Sequence, residues 1–559
     1  MLQLSQANSV SFRRWLRLTV VCVIAVSASP SMLLAETESD KGSDVPASDS
    51  SWLGEGQPFA MPAARVKSAA DESNQEQAEP TKRDKTHQQT TVHEFELKNG
   101  LRLLVRPDPR APVVVSQIWY RVGGSFEPVG QTGVSHVLEH MMFKGTDRFA
   151  AGELSDLVAQ YGGMENAFTA RDYTGYFQIW EKSRLPLSFA IEANRMQHLQ
   201  IDPAEFEKEK RVVMEERRLR TDDSPGGTAY ERLNAAAFVA SPYRGPIIGW
   251  MHDIENLTVA QAQAWYMARY APNNAIVVVA GDVDPEAVHQ LAKTHFGDIE
   301  KKELPTLPDY SEVEQKGKKH LVVMDEVKVP QLTLGFVVPS IKTATDSLDV
   351  MALSMLAAVL DGGLSARFET ELIRKQAVAA SIGTSYDPFA RGDVLFAIQA
   401  TPNQGVELAE LEQQILEQIY QLQQTPPKQS EIDLALVQLR ANEVYSEDSI
   451  SQQASRLGQL AVIDVDWRMA QQWVELLAKV TPADVQRVAE EFLQSKRLTV
   501  VELVPESTPE LVADSAVNTK PKASAKSKST ASPAQKSTQR SKGGSSSDAA
   551  ANPSAEPVE

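Results

Sequence analysis

Residues 133 to 146, Gly-Val-Ser-His-Val-Leu-Glu-His-Met-Met-Phe-Lys-Gly-Thr, set His136, Glu139 and His140 within five positions. The apolar spacing of Val134, Val137, Leu138, Met141 and Met142 predicts a helix here. On a helix, His136 and His140 lie about 40° apart and Glu139 falls on the same side. Two imidazoles then converge on one point, and Glu139 reaches a water held there. That geometry suits a metal-assisted hydrolase in which a carboxylate serves as base. The order H-x-x-E-H is also the inverse of the H-E-x-x-H zinc motif. Histidines flanking an ordinary helix face are the alternative, and chance yields this pattern in roughly one chain in a hundred of this composition.

Two histidines leave a catalytic metal short of a third protein ligand. The segment from Ile201 to Asp223 offers one. Asp202, Pro203 and Glu205 mark a helix start, with Asp202 as N-cap and Glu205 in the capping-box place. On a helical wheel Phe206, Val212, Val213 and Leu219 form the expected apolar stripe, with Glu209 and Glu216 inside it and Glu215 off it. A carboxylate in a buried stripe needs a counter-charge, which a divalent ion supplies. A charged, exposed helix is the other reading of this segment.

The rest of the chain must position these groups. With 559 residues the chain exceeds one usual core, so two or more domains are expected. A net charge of −18 argues against nucleic-acid binding. Arg13, Arg14 and Arg17, the apolar run from Leu18 to about Ala28 and the small residues before Ala35 read as a signal peptide over 1–35, with export across the inner membrane to the periplasm. The single cysteine, Cys22, lies inside it, so a metal site in the mature chain uses His and carboxylates. Polar composition predicts a disordered linker over 36–91 and a disordered Lys/Ser/Ala/Pro tail over 506–559. Strand and helix patterns divide the body into two α+β units, an N-terminal domain over 92–300 with the metal motif and a C-terminal domain over 319–505 without one. Between them 301–318 is a linker by composition.

Residues 92 to about 505 resemble the pitrilysin (insulinase-like, M16) metallopeptidases, in particular two-domain members related to mitochondrial processing peptidase. The resemblance rests on "HVLEH", on "EKRVVMEE" with Glu216 76 positions after His140, and on "GGMENAFTARDYTGYF", "SPYRGPIIGW" and "YAPNNAIVVVAGDVDPEAV". It implies two α/β sandwich domains and one zinc ion per chain held by His136, His140 and Glu216. It further implies Glu139 as catalytic base, Glu209 as support, and an edge strand where Asn166 and Ala167 bind the backbone of a peptide substrate. Where the family carries an arginine and, seven residues on, a tyrosine that grip substrate, registering on Lys375-Gln376 puts Ile373 and Ala380; Arg374 and Tyr386 are nearby but out of register.

The expected function is a zinc endopeptidase or oligopeptidase acting on extended or unstructured peptides. A non-catalytic M16-type structural or peptide-binding subunit is the competing expectation, and the intact His136, Glu139, His140 and Glu216 count against it. The missing grip residues lead to an expected partner, a related zinc-free M16 chain in a heterodimer, with a homodimer second.

Overall fold

The computed structural model describes residues 91–306 and 311–506. The expected signal peptide, nearly all of the linker that follows it, and the tail after Glu506 lie outside the described residues.

The first half contributes strands β1 (His93–Glu96), β2 (Arg102–Pro107), β3 (Val113–Tyr120), β4 (Met164–Thr169), β5 (Thr174–Glu181) and β6 (Ala275–Gly281). Its helices are α1 (Val134–Met141), α2 (Glu153–Gln160), α3 (Leu185–His198), α4 (Pro203–Arg217), α5 (Pro225–Ala237), α6 (Met251–Asn256), α7 (Val259–Arg269) and α8 (Pro285–Phe296). The second half contributes β7 (Lys319–Asp325), β8 (Gln331–Val338), β9 (Ala379–Ser385), β10 (Val394–Pro402) and β11 (Leu498–Pro505). Between its strands run α9 (Ser347–Asp361), α10 (Leu408–Gln424), α11 (Gln429–Ser446), α12 (Ile450–Val462), α13 (Met469–Leu477) and α14 (Pro482–Phe492).

The sheets are ordered β1-β2-β6-β3-β5-β4 and β7-β11-β8-β10-β9. In the first, β2 and β6 are parallel and every other pair is antiparallel; in the second, β7 and β11 are the parallel pair. Apart from β1 the second sheet repeats the first strand for strand, so β9 occupies the edge that β4 occupies. The chain is two copies of one α+β topology.

Each sheet has both faces buried, and the helices covering the second face are exchanged. On one face of the first sheet Leu103, Val105, Ile118, Tyr176 and Val277 pack into a core with Val137, Leu138 and Met141 of α1 and Phe206 and Val213 of α4. The opposite face, Leu104, Val115, Trp119, Ile276 and Val278, lies under Ala454, Leu457, Leu460 and Ala461 of α12, a helix of the second half. Reciprocally, Ala229 and Leu233 of α5, from the first half, pack on Val501 and Leu503 of β11. Gly458 permits the close approach of α12, since a Cβ there would lie 2.3 Å from the Trp119 ring. Burying a leucine such as Leu457 contributes about 1.5–3 kcal/mol, so this exchange holds the halves together chiefly by apolar burial.

Candidate metal centre

Helix α1 starts at Gly133, whose φ of +89° sets the turn into the helix. Glu127 accepts hydrogen bonds from the backbone N–H of Gly133 (2.7 Å) and Ser135 (2.8 Å), satisfying donors that open every helix. Trp265 Nε1 donates to Ser135 Oγ at 3.1 Å. Buried Val134, Val137, Leu138 and Met141 press one face of α1 into the core and turn His136, Glu139 and His140 toward α4.

The Asp202 carboxylate caps α4 by accepting from Ala204 N (2.8 Å) and Glu205 N (3.0 Å), with Pro203 at the first helical position. Glu205 does not complete a capping box; its carboxylate pairs with Lys208 at 2.5 Å. The expected apolar stripe also needs correction. Phe206 and Val213 are buried, but Val212 and Leu219 are 48% and 66% exposed. The buried face of α4 is Phe206, Glu209, Lys210, Val213 and Arg217, so charged side chains with partners replace the apolar ones. Leu219 turns away because the chain widens into a π-helical turn over Arg218–Asp222, which changes the angular step per residue.

One ligand atom each from His136, His140 and Glu216 lie within 4.8 Å of one another. Glu216 Oε2 is 3.7 Å from His136 Nε2 and 3.6 Å from His140 Nε2. Bonds of about 2.0–2.2 Å in a tetrahedral zinc site separate neighbouring donors by about 3.3–3.6 Å, so the donor set suits zinc in type, and both Glu216–His separations lie close to that spacing. His140 Nδ1 pairs with Glu209 Oε2 at 3.1 Å, which leaves Nε2 as the ligand atom, and Lys144 Nζ holds Glu209 Oε1 at 2.8 Å. Such a carboxylate behind a ligating histidine fixes its tautomer and ring angle. Glu216 Oε1 is held by Arg220 at 2.5 Å.

The electrostatics follow from this crowding. Burial pushes His136 down to about 4, with repulsion from His140 adding to it. Burial also lowers His140, but hydrogen bonds to Glu209 and Glu216 outweigh it and hold the imidazole up to about 9. Burial raises Glu216, yet His140, His136 and Arg220 bring it down to about 2. With no metal bound, His140 keeps its proton between ionised Glu216 and Glu209, and a cation at Nε2 would take that proton's place. Glu139, by contrast, is raised by burial to about 7, partly offset by the hydrogen bond from Thr169.

Asn166 and Ala167 lie on β4, an edge strand paired only with β5. Asn166 is exposed, and its Oδ1 accepts from Ala167 N at 2.8 Å. Two residues along, Thr169 Oγ1 donates to Glu139 Oε2, so this strand touches the candidate base. Thr169, Lys144 and Arg220 were not singled out by the sequence. Thr169 carried a signal nonetheless, since it shares a strand face with Ala167 at period two.

In the second half Ile373 sits partly buried in a π-helical segment, Phe368–Lys375, and Ala380 is exposed on β9. The nearby polar groups are engaged elsewhere: Arg374 Nε pairs with Glu369 at 3.1 Å, and Tyr386 donates its hydroxyl to Pro339 O at 2.8 Å.

Two repeats of one topology, of which, among the described residues, the first alone brings together a His-His-Glu group that could hold a metal, define a two-domain peptidase-type fold. Residues 102–249 match Insulinase (Peptidase family M16), and residues 256–439 match the Peptidase M16 inactive domain. The chain belongs to peptidase family M16. It is 32% identical over 414 residues to a protein named zinc protease PqqE from Helicobacter pylori, covering 73% of this chain and 92% of that one. It is 25% identical to mitochondrial-processing peptidase subunit beta of Blastocladiella emersonii, covering 73% and 88%. The crystal structure of a protease from Helicobacter pylori superposes with a TM-score of 0.70 at 31% identity, covering 74% of this chain and all of that one. A peptidase M16 inactive domain from Pseudomonas fluorescens shares the fold at TM-score 0.67 and 16% identity, over 75% and 98% of the two chains.

Proposed function

We propose that this chain is a zinc-dependent endopeptidase or oligopeptidase that hydrolyses peptide bonds in extended or unstructured peptides. The observation that carries the reading is the convergence of His136, His140 and Glu216 beside Glu139 and the free edge of β4. Zinc, when bound, supplies Lewis-acid polarisation of a carbonyl and acidifies water. The chain's own residues do the rest. An extended peptide adds to β4 through main-chain hydrogen bonds, which aligns its backbone with the cluster and makes Asn166 and Ala167 contact residues. Glu139, held toward its neutral–ionised balance point by burial, takes the proton of the attacking water and delivers it to the leaving amine. Glu209 and Lys144 keep His140 in one orientation throughout.

The aliphatic side chains of Ile373 and Ala380 donate no hydrogen bonds, and loss of one donor to a developing oxyanion typically costs about 10²–10³ in rate. A related zinc-free chain in a heterodimer is therefore the proposed partner, with a homodimer second. The signal-like N-terminus supports action in the periplasm.

The test is a pair of substitutions on full-length protein. Glu139→Gln keeps zinc and loses nearly all cleavage of an unstructured peptide, whereas Glu216→Gln loses zinc. Cleavage by Glu139→Gln at the wild-type rate refutes the mechanism.

A further inference from the structure

Three ligands on two helices make a site only if the helices keep their spacing, and no side-chain crosslink ties α1 to α4. The segment from Gly249 to Leu257, which is far from both in sequence, touches each of them. On the α1 side, Trp250 N donates to Thr132 Oγ1 at 2.9 Å, and Thr132 Oγ1 donates to Asp253 Oδ2 at 2.6 Å. Gly133 and Gly249 face each other there. Both have positive φ, and a Cβ on Gly249 would lie 2.7 Å from the Gly133 Cα. On the α4 side, Lys210 Nζ donates to Glu255 O and Leu257 O, each at 3.3 Å. Two turns further, Arg217 Nη1 donates to Gly249 O at 2.9 Å.

Arg217 is the crux of this arrangement. It follows Glu216 directly, about 100° further round the helix, and is 5% exposed. Its guanidinium meets Glu231 of α5 through two bonds, at 2.8 and 3.2 Å, so its charge is paired and its fork is held in one orientation. It also lies over the Trp250 ring, 5.8 Å from the centroid. The residue next to the third ligand is thus pinned to the same glycine that abuts the start of the histidine helix.

We propose that Gly249–Leu257 is a bracket that sets the distance from Glu216 to His136 and His140, and that Arg217 is its positioning residue for metal affinity. The inference rests on the zinc reading above. Without the bracket the two helices still pack through Phe206 and Val213, but apolar contact leaves sliding and rotation less restricted than a forked hydrogen bond does. A metal site with fixed bond lengths responds to that freedom.

The experiment is zinc titration of metal-stripped full-length protein against a competing chromophoric chelator, with Arg217→Met and Thr132→Val. Neither residue is a ligand. Removing partners that orient ligands typically costs about 10–100-fold in metal affinity, which is the loss expected for Arg217→Met. Thr132→Val, isosteric but unable to accept from Trp250 N, shifts affinity in the same direction by less. Thr132→Val carries the test alone if Arg217→Met fails to fold with Glu231 left unpaired. Folded variants that bind zinc as tightly as wild type overturn the proposal, as does failure of both variants to fold, which marks the bracket as a general structural tie. Wild-type protein that takes up no zinc at all overturns the metal centre itself, and is distinguishable because no variant is needed to see it.

Discussion

The hydroxyl of Thr169 and the carboxylate of Glu209 act on neighbouring residues of one helix in different ways. Glu209 bonds His140 from behind and serves the proposed metal site, whereas Thr169 bonds Glu139 and reaches it from the strand proposed to accept substrate. A hydrogen bond to a charged group contributes about 1.5–3 kcal/mol, equivalent to roughly 10–100-fold in rate if realised at the transition state. Thr169→Val is therefore expected to lower kcat by about that factor with zinc content unchanged, and Thr169→Ser to restore most of it. Steady-state kinetics together with metal analysis check this. A Thr169→Val enzyme with wild-type kcat shows that Glu139 needs no such hold. His136, Glu139 and His140 were legible from spacing alone, because an i to i+4 relation on a helix is a local fact. Thr169 was not, because its relation to Glu139 is a contact between a strand and a helix 30 positions apart.

At the scale of elements, most boundaries follow from local chemistry. Asp202 with Pro203, Thr258 with Gln261, and Thr481 with Asp484 each start a helix by satisfying its free N–H groups. Helix α9 ends less comfortably, with Asp361 in its last turn, where a negative charge meets the negative end of the helix dipole. Burial is the main cause that raises its carboxyl to about 6, against the hydrogen bond from Thr384 N. The folded state therefore holds a proton that the unfolded chain, at about 3.8, has already lost. Stability consequently falls as pH rises between about 4 and about 6. Asp361→Asn removes this dependence, so it gains on wild type across that window and keeps a constant advantage above it. Urea midpoints of both proteins at several pH values measure the difference; a gap that does not change with pH contradicts the assignment.

For the whole molecule, the exchange of α5 and α12 between halves makes the two sheets one folding unit. Leu457 is 1% exposed beneath the first sheet although it belongs to the second half. Leu457→Ala should cost about 2–5 kcal/mol, as large-to-small core changes do. Both halves should lose stability together in one transition. Hydrogen exchange followed in β6 and in β10 distinguishes this from the alternative, in which only one sheet becomes less protected.

Alternation and helical spacing in the sequence determined the α+β class, the division into two units and the helix that carries His136, Glu139 and His140, because those depend on periods of two and 3.6 residues and on neighbours along the chain. The α4 stripe shows the limit. Glu209 lies on the buried face and Glu216 is only partly buried, while Val212 and Leu219 were misplaced because charged pairs and a π turn, both set by tertiary neighbours, decide which side of α4 is buried. Only the tertiary structure decided that Thr169 meets Glu139, that Gly249–Leu257 joins the two ligand helices, and that each half covers the other's sheet. Each of these joins groups distant in sequence, and no local period encodes which distant surface fills a face; shape and charge complementarity of the assembled elements do.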